Sequence, residues 1–116
     1  MVASAANLHL WLELAEMLSQ LPPEIEHGLY RIALEATANA VTHSQPSCLT
    51  LRLEVGSALT TLLVEDDGRG FDIRQDHQAG HYDIPGMRKR STHLNGEFEL
   101  NSAPGAGTRI VVRVPH

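Results

Sequence analysis

The order of three short motifs limits the folds open to this chain, because each motif lies where a predicted helix or strand ends. The motifs are Glu35–His43, Asp66–Asp72 and Gly105–Thr108. The first motif lies at the end of a predicted helix, the second follows an apolar strand-like segment, and the third connects two strand-like segments. A chain of 116 residues can build one sandwich-sized core but not two. Residues 1–116 are therefore predicted to form a single domain.

Hydrophobic periodicity predicts the elements that carry these motifs. Leucines at every second position from Leu8 to Leu14 favour a strand, although a helix also fits this segment. A proline-led start with early acids predicts a helix from Pro23 to His43. The other predicted elements are strands at Cys48–Val55, Leu59–Glu65, Glu97–Asn101 and Thr108–Val114 and a helix at Gly86–Leu94. Together they predict an α/β (α+β) two-layer sandwich, with a mostly antiparallel mixed sheet covered on one face by helices.

Two segments fall outside these elements. Residues 1–6 lack the basic flank of a secretion signal, and we expect them to be a short leader or a boundary segment. Residues 72–85 have little periodicity and are expected to form a mobile lid.

Composition excludes several classes of partner. The formal net charge of -5 argues against nucleic acid, whose phosphates favour basic surfaces. Aromatic residues make up 4% of the chain, which leaves few platforms for stacked bases. Cys48 is the single cysteine, so no internal disulfide forms and a reducing cytosol is compatible. No apolar run approaches the ~20 residues of a membrane-spanning helix, and we expect no membrane contact by this domain.

The first motif places a polar column on the predicted helix. Glu35, Asn39 and His43 are four residues apart and would stack on one side of an α-helix. A solvated helix face is the simpler interpretation, but the small residues beside the column leave room for a ligand to approach. The carboxamide oxygen of Asn39 would suit Mg²⁺, which binds oxygen ligands and bridges phosphates. Glu35 could then polarise a water or an incoming nucleophile.

The second and third motifs add the elements of a base-binding pocket. Asp66 ends a predicted buried strand, where an inward carboxylate needs a hydrogen-bond donor such as an adenine amine. Gly68 and Gly70 would let the backbone approach a flat ring closely. Gly105 and Gly107 most simply form a hairpin turn, yet after the other two motifs they could keep the pocket floor open. A metal-bound phosphate and a heterocyclic base in one pocket point to ATP.

These motifs give the chain a family resemblance. It resembles the ATP-binding (HATPase_c) domain of two-component sensor histidine kinases, within the Bergerat-fold or GHKL ATPases, and most of all the nitrate-sensor type. Leu29–His43 resembles the N box of that group, Asp66–Asp72 its G1 box, and Gly86–Arg90 the start of the helix after its ATP lid. Ser102–Thr108 resembles its closing glycine turn. The similarity runs from about Leu21 to Pro115, with the motifs in the family's order.

The resemblance implies a role for each matching residue. Asn39 would coordinate the Mg²⁺ that bridges the phosphates, and Glu35 would be the catalytic base or polarising carboxylate. Asp66 would accept a hydrogen bond from the adenine amino group, and Thr108 would help to fix Asp66. Both ATP and Mg²⁺ are therefore expected cofactors.

Five further positions are implied as nucleotide-binding. Gly68 and Gly70 would shape the adenine pocket, and Gly80 and Gly86 would bracket the part of the lid around the phosphates. His43 matches a family position near the phosphates, although a partly buried structural histidine is an equal interpretation.

The chain departs from the family at two positions. Thr42 stands where many relatives have a basic residue that reaches the terminal phosphate. In the lid, where relatives usually have glycine, a bulky residue, glycine and leucine, Gly80-His81-Tyr82 is followed by Asp83-Ile84-Pro85. A carboxylate facing a polyphosphate would repel it. Asp76, His77, His81 and Asp83 could also suggest a metal site, but Gly80 and the loop-like surroundings favour a solvated lid. Arg88, Lys89 and Arg90 could form a solvated helix face, or one of them could reach the phosphates.

Three functions follow as hypotheses. The first is an ATP-binding kinase domain that donates the γ-phosphate to a histidine on a separate dimerisation domain, with a response regulator downstream and a cytoplasmic location. The second is a serine/threonine kinase of the anti-sigma-factor type, which Gly86–Arg88 and Pro104–Gly107 make less favoured. The third is a degenerate module that binds nucleotide without catalysis, which Thr42 and Asp83 favour.

Overall fold

The computed structural model describes residues 2–5, 8–13, 21–70 and 84–116. Two α-helices, one π-helical turn and six strands occur in this part of the chain. The strands are β1 (Val2–Ala5), β2 (Leu8–Glu13), β3 (Cys48–Val55), β4 (Leu59–Asp66), β5 (Glu97–Ser102) and β6 (Thr108–Pro115). The helices are α1 (Pro23–Asn39) and α2 (Ile84–His93), and the π-helical turn Ala40–Ser44 continues α1.

The six strands form one mixed sheet in the order β1-β2-β3-β4-β6-β5. Only the pair β2 and β3 is parallel, and the other four pairs are antiparallel. The predicted mostly antiparallel sheet is confirmed, as is the strand interpretation of the segment that begins at Leu8. β1 was not predicted, and it lies in the segment expected to be a leader. Its alanine-rich sequence has a weak strand preference, so its pairing with β2 is decided by the neighbouring strand rather than by local propensity.

The first helix begins where the sequence predicts it. Pro23 occupies the first turn, where no backbone N–H is needed, and Glu24 and Glu26 place negative charge near the positive end of the helix dipole. The α-helical part ends at Asn39, and the chain then widens into the π-helical turn. Gln45, with a φ of 49°, closes that turn in the left-handed region. The predicted helix from Pro23 to His43 is thus two kinds of helix in succession.

The core lies between the helices and one face of the sheet. Leu29, Ile32 and Ala36 recur at helical spacing on the buried side of α1. Along β4, Thr60, Leu62, Val64 and Asp66 are buried while the alternate residues are not, as expected when one sheet face is covered. The buried side chains form one cluster that includes members of α1, α2, β3, β4 and β6. Helices on one face of the sheet are therefore confirmed.

The direction of α1 follows from its end contacts. A Cβ on Gly28 would meet the Leu94 side chain at 2.7 Å, and one on Gly96 would meet the Arg113 carbonyl oxygen at 2.9 Å. Gly28 therefore lies near the end of the sheet where β6 finishes. Arg69, three residues after β4, donates to the carbonyl oxygen of His43, so the other end of α1 with its π-helical turn lies where β4 finishes. Neither described helix combines the length and the apolar content needed to span a membrane.

The charged residues of the sheet lie mainly on the helix-free face. Arg113 Nη1 donates to Glu99 Oε2 at 3.1 Å, and Arg109 Nε lies 3.7 Å from Glu65 Oε2. The hydrogen bond from Arg113 lowers the pKa of Glu99 below its ordinary value, with a smaller contribution from the hydrogen bond of Asn101. These exposed ion pairs solubilise the face and contribute little to stability.

One buried hydroxyl in α2 gives a stability prediction. Ser91 is fully buried, and its Oγ has no hydrogen-bond partner among the described residues. Since an unpaired buried hydroxyl costs free energy, Ser91→Ala should raise the free energy of unfolding by about 1 kcal/mol. Urea denaturation of both proteins measures the change. A variant less stable than the parent would show that the hydroxyl is satisfied in solution.

Candidate functional site

The structure brings the three sequence motifs to one end of the sheet. Arg69, in the second motif, donates from Nη2 to the carbonyl oxygen of His43, the last residue of the first motif, at 3.1 Å. Gly105 N, in the third motif, donates to the Arg69 carbonyl oxygen at 2.6 Å. Arg69 therefore connects all three motifs. Its role was missed by sequence reasoning, which valued the glycines of the second motif and overlooked the long side chain between them.

Asp66 is the buried carboxylate of this region. It is the last residue of β4, it is 7% exposed, and it shares the helix-covered face with Leu62 and Val64. Its Oδ1 accepts a hydrogen bond from Gly68 N at 2.8 Å, which stabilises the turn after the strand. The predicted inward orientation of Asp66 thus agrees with the strand alternation.

A pair of hydroxyls lies beside Asp66 in the sheet. Thr108 is paired with Asp66 in register and is 5% exposed. Its Oγ1 lies 2.9 Å from Ser102 Oγ, which also bonds the Gly107 carbonyl oxygen at 2.9 Å. Thr108 is therefore positioned next to the carboxylate that it was predicted to fix. Ser102 was missed, and only the cross-strand register, which the sequence does not give, identifies it.

The residues of the first motif are held by two different helical geometries. Asn39 is 9% exposed and ends the α-helix, and Glu35 is half-buried one turn earlier. His43 lies in the π-helical turn, where bonding runs from i to i+5. The four-residue spacing therefore stacks Glu35 with Asn39 but does not stack His43 directly on Asn39, which corrects the predicted column. Such π-helical turns are often found at functional sites.

The glycines of the second and third motifs allow these loops to pack closely. Gly70 has a φ of 63°, and a Cβ there would overlap the Ala103 carbonyl oxygen. Gly107 has a φ of 75°, and a Cβ there would overlap the Asp66 carbonyl oxygen. Both positions need glycine for backbone contact between the motifs. The glycine at position 70, predicted to make room for a ligand ring, is therefore also explained by this backbone contact.

The remaining predicted glycines have different outcomes. Gly68 lies in the turn after β4 and donates its N–H to Asp66. Gly86 lies in the first turn of α2, which begins at Ile84, two residues before the predicted start, because Pro85 suits a first helical turn. Gly80 lies outside the described residues, as do residues 72–83 of the predicted lid with their Asp76, His77, His81 and Asp83. The last two residues of the predicted lid, Ile84 and Pro85, instead belong to α2.

Asp67 is a second carboxylate with a distinct role. Its Oδ1 accepts hydrogen bonds from Ser47 N and Cys48 N, both at 2.8 Å, and the residue is exposed. It therefore fixes the start of β3 against the end of β4. The two neighbouring carboxylates thus differ, because Asp66 is buried whereas Asp67 is exposed and bonded to two backbone N–H groups.

A concavity of about 650 Å³ lies at the same end of the sheet but mainly on its helix-free face. Side chains of alternate strand residues line it, among them Thr50, Glu65 and Arg109. Its lining includes Asp66 and Thr108 but neither Glu35 nor Asn39. This concavity is therefore not the predicted nucleotide pocket, which would lie on the helix-covered face.

The basic residues of α2 do not form one solvated face. The Arg88 guanidinium lies over the Phe98 ring, 4.9 Å from its centroid, in a cation–π contact. Lys89 is exposed, while Arg90 is half-buried, and its Nη1 is buried with no hydrogen-bond partner among the described residues. No group of three or more His, Cys, Asp or Glu side chains in the described ranges could hold a metal ion.

Comparison with known protein families identifies the domain. Residues 24–116 match the family described as histidine kinase-, DNA gyrase B-, and HSP90-like ATPase (HATPase_c). The match covers α1 except its first residue, all three motifs, α2 and strands β3 to β6. It therefore includes every candidate site residue named above.

Curated relatives of the chain include a histidine-protein kinase/phosphatase and a sensor protein. It is 33% identical over 98 residues to the signal transduction histidine-protein kinase/phosphatase DegS of Bacillus subtilis, covering 83% of this chain and 26% of that protein. It is 34% identical over 96 residues to the sensor protein VraS of Staphylococcus saprophyticus, covering 83% of this chain and 27% of that protein. The chain thus spans about a quarter of the length of these relatives.

Solved structures share the fold. The histidine kinase domain of the blue-light activated kinase EL346 of Erythrobacter litoralis has a TM-score of 0.76 at 21% identity, covering 96% of this chain and 52% of that one. The histidine kinase AdeS of Acinetobacter baumannii has a TM-score of 0.70 at 20% identity, covering 95% of this chain and 55% of that one. With the family match over most of its length, the chain belongs to the HATPase_c family of histidine kinase-, DNA gyrase B- and HSP90-like ATPases.

Proposed function

We propose that this chain is the ATP-binding catalytic domain of a sensor histidine kinase, which binds Mg-ATP and donates the γ-phosphate to a histidine on a separate dimerisation domain. One observation carries the proposal: Asp66 is a buried carboxylate on the helix-covered face, at the end of the sheet where the three motifs meet. A buried carboxylate in an ATPase family is suited to accept a hydrogen bond from an adenine amine. The name of the relative DegS, a histidine-protein kinase/phosphatase, supports the kinase class.

The metal would be held mainly by one protein ligand and by the nucleotide. Asn39 offers a neutral carboxamide oxygen at the end of α1, and it is buried enough to be oriented by its surroundings. Mg²⁺ characteristically uses few protein ligands and keeps waters and phosphate oxygens in its shell. The lack of a cluster of three metal-binding side chains in the described residues is compatible with this mode. When bound, the metal would neutralise charge on the phosphates.

The protein's own contribution would be positioning. Asp66, supported by Gly68 N and neighboured by Thr108, would orient the base. Glu35, one turn before Asn39 on the same helix, would orient or deprotonate the incoming imidazole. Phosphoryl transfer asks for little covalent chemistry from the protein, so correct placement and charge neutralisation supply most of the rate.

A degenerate nucleotide-binding module is the second candidate. Thr42, where a basic residue is expected from the resemblance, is exposed and uncharged in the π-helical turn. One phosphate-neutralising charge would therefore be missing from that position. The anti-sigma-factor type of kinase is not favoured by the relatives, which are named as a histidine-protein kinase/phosphatase and a sensor protein. We further propose a cytoplasmic location and a response regulator as the downstream partner.

Isothermal titration with a non-hydrolysable ATP analogue, with and without Mg²⁺, tests the binding half of the proposal. Saturable binding that Mg²⁺ strengthens is the expected result. A chain that binds no nucleotide at millimolar concentration would refute both the kinase and the degenerate module.

Glu35→Gln tests the catalytic half. The amide keeps the size of the side chain but cannot accept a proton, so the rate of transfer should fall about 100-fold while nucleotide affinity stays unchanged. The measurement is transfer of labelled phosphate to a purified histidine-bearing dimerisation domain of a sensor histidine kinase, supplied in trans. Equal rates for both proteins would remove Glu35 from the mechanism, and nucleotide binding without transfer by the parent chain would favour the degenerate module.

A further inference from the structure

The connection between α1 and β3 contains a strained backbone at Gln45. This residue ends the π-helical turn with a φ of 49° and a ψ of 56°, in the left-handed region that residues other than glycine rarely adopt. Pro46 follows it, and a proline favours extended backbone in the residue before it. The π-helical turn Ala40–Ser44 is itself an uncommon geometry. Such conformations persist only where the surrounding structure stabilises them.

Two charged side chains of the second motif stabilise the strained connection, one on each side. On its N-terminal side, the Arg69 guanidinium donates from Nη2 to the carbonyl oxygen of His43 at 3.1 Å. On its C-terminal side, Asp67 Oδ1 accepts hydrogen bonds from Ser47 N and Cys48 N, both at 2.8 Å. Charge-assisted hydrogen bonds are stronger than neutral ones. The second motif therefore restrains both ends of the connection.

The backbone of Arg69 is in turn held by the third motif. Gly105 N donates to the Arg69 carbonyl oxygen at 2.6 Å. At the next residue, a Cβ on Gly70 would overlap the Ala103 carbonyl oxygen and lie 2.7 Å from the Gly107 carbonyl oxygen. A backbone packed this closely loses little further freedom when its side chain forms a hydrogen bond. The bond from the guanidinium can therefore restrain the π-helical turn effectively.

We propose that Arg69 is a positioning residue, which holds the π-helical turn so that Asn39 is oriented toward the metal ion of Mg-ATP. This inference rests on the proposed function and deepens it, because it assigns a residue to the alignment of the metal site with the base site. Asn39 immediately precedes the turn, and Asp66 lies three residues before Arg69. One guanidinium thus connects the loop after the proposed base acceptor to the helix end that carries the proposed metal ligand.

The structure favours an effect on the metal rather than on the base. Asp66 is positioned by its strand, by burial and by the hydrogen bond from Gly68 N, and none of these three involves the Arg69 side chain. Asn39 lies where α-helical bonding changes to π-helical bonding, so relaxation of the turn would shift the helix end that carries its carboxamide. Loss of the Arg69 bond should therefore impair metal-assisted binding and spare metal-free binding.

The test compares Arg69→Ala with the parent chain by calorimetric titration of the ATP analogue, in Mg²⁺ and in EDTA. We call the ratio of the two dissociation constants, EDTA over Mg²⁺, the Mg²⁺ enhancement. Arg69→Ala should lower this enhancement about fivefold and leave the metal-free affinity within about twofold of the parent. Arg69 is exposed, so its replacement should not unfold the domain.

A second measurement needs no nucleotide. In the ¹⁵N-labelled chain, Arg69→Ala should change the amide chemical shifts of the π-helical turn, because the bond to the His43 carbonyl oxygen is lost. Unchanged shifts in the turn would show that this bond does not hold it in solution, and the inference would be wrong.

Arg109→Ala is the matched control for the loss of a positive charge. Arg109 is also exposed at this end of the sheet, but it lies 3.7 Å from Glu65 on the helix-free face. Its replacement should leave the Mg²⁺ enhancement within about twofold of the parent. Arg69→Lys keeps a positively charged donor for the same carbonyl oxygen, and it should retain most of the enhancement.

The outcomes separate this inference from simpler roles of Arg69. A merely structural arginine would weaken metal-free and metal-assisted binding by the same factor, and a general charge effect would appear equally in Arg109→Ala. Either result would overturn the inference, as would a loss in Arg69→Lys equal to that in Arg69→Ala. A parent enhancement that survives in Arg69→Ala refutes only the role of Arg69. A parent chain that binds no nucleotide, or binds it without help from Mg²⁺, refutes the Mg-ATP binding of the proposed function itself.

Discussion

Gly107→Ala should destabilise the domain by about 4 kcal/mol, a large part of the 5–15 kcal/mol that holds a typical domain folded. The glycine has a φ of 75°, and a Cβ added there would overlap the carbonyl oxygen of Asp66 and lie 3.1 Å from the Asp67 Cα. The atoms in the way are backbone, so no side-chain rotation can relieve the contact. Urea denaturation followed by circular dichroism measures the loss.

Gly105→Ala separates the two causes of that loss. Gly105 has a φ of 79°, but a Cβ there would meet nothing within 4 Å. Its replacement should cost only the left-handed backbone conformation, about 1 kcal/mol. If the two variants lost the same stability, the close contact between the glycine turn and the end of β4 would not exist in solution. Failure of Gly107→Ala to fold, with Gly105→Ala folded, agrees with the prediction.

The helices and most strands could be predicted from the sequence because their signals are local. The proline-led start of α1, the alternation in β4 and the Asn95-Gly96 stop after α2 each depend on residues within a few positions. Asn95 does adopt a φ of 60°, and Gly96 N bonds the Ser91 carbonyl oxygen at 2.8 Å. Such features need no knowledge of the tertiary fold.

The order of the strands could not be predicted in the same way. The parallel pairing of β2 with β3 joins strands separated by the whole of α1, and β1 pairs only because β2 supplies an edge. Hydrophobic patterns say which residues face a core, but they do not say which strand lies beside which. Ser102, the cross-strand neighbour of Thr108, could therefore not be identified before the register was known.

The π-helical turn could not be predicted from the sequence either. The sequence of Ala40–Ser44 continues the apolar spacing of α1, and the i to i+5 bonding has no composition of its own. The contact from Arg69 to the His43 carbonyl oxygen, which satisfies a terminal helix acceptor, joins residues far apart in the chain. Candidate residues could thus be named from motifs, while the contacts that position them come from the tertiary structure.

Asp66→Asn should weaken binding of the ATP analogue by about 10²- to 10³-fold, which corresponds to about 3–4 kcal/mol. Its Oδ1 can still accept the hydrogen bond from Gly68 N, so the turn after β4 should be retained. The other oxygen is replaced by an amino group, which would face the adenine amine with donor against donor. The loss of a buried, charge-assisted acceptor and the new repulsion both weaken binding of the ATP analogue.

The neighbouring carboxylate makes the result specific. Asp67→Asn alters an exposed residue whose hydrogen bonds go to Ser47 N and Cys48 N, and its amide oxygen can still accept both. It should therefore leave nucleotide affinity within about twofold.

Asp66→Asn should also narrow the preference for ATP over GTP, because an amide N–H can donate to the guanine oxygen that a carboxylate repels. Calorimetric titration of both variants with both nucleotides measures this. Equal affinities of Asp66→Asn and the parent for ATP would show that adenine forms no hydrogen bond with Asp66. The base would then have to bind elsewhere on the domain.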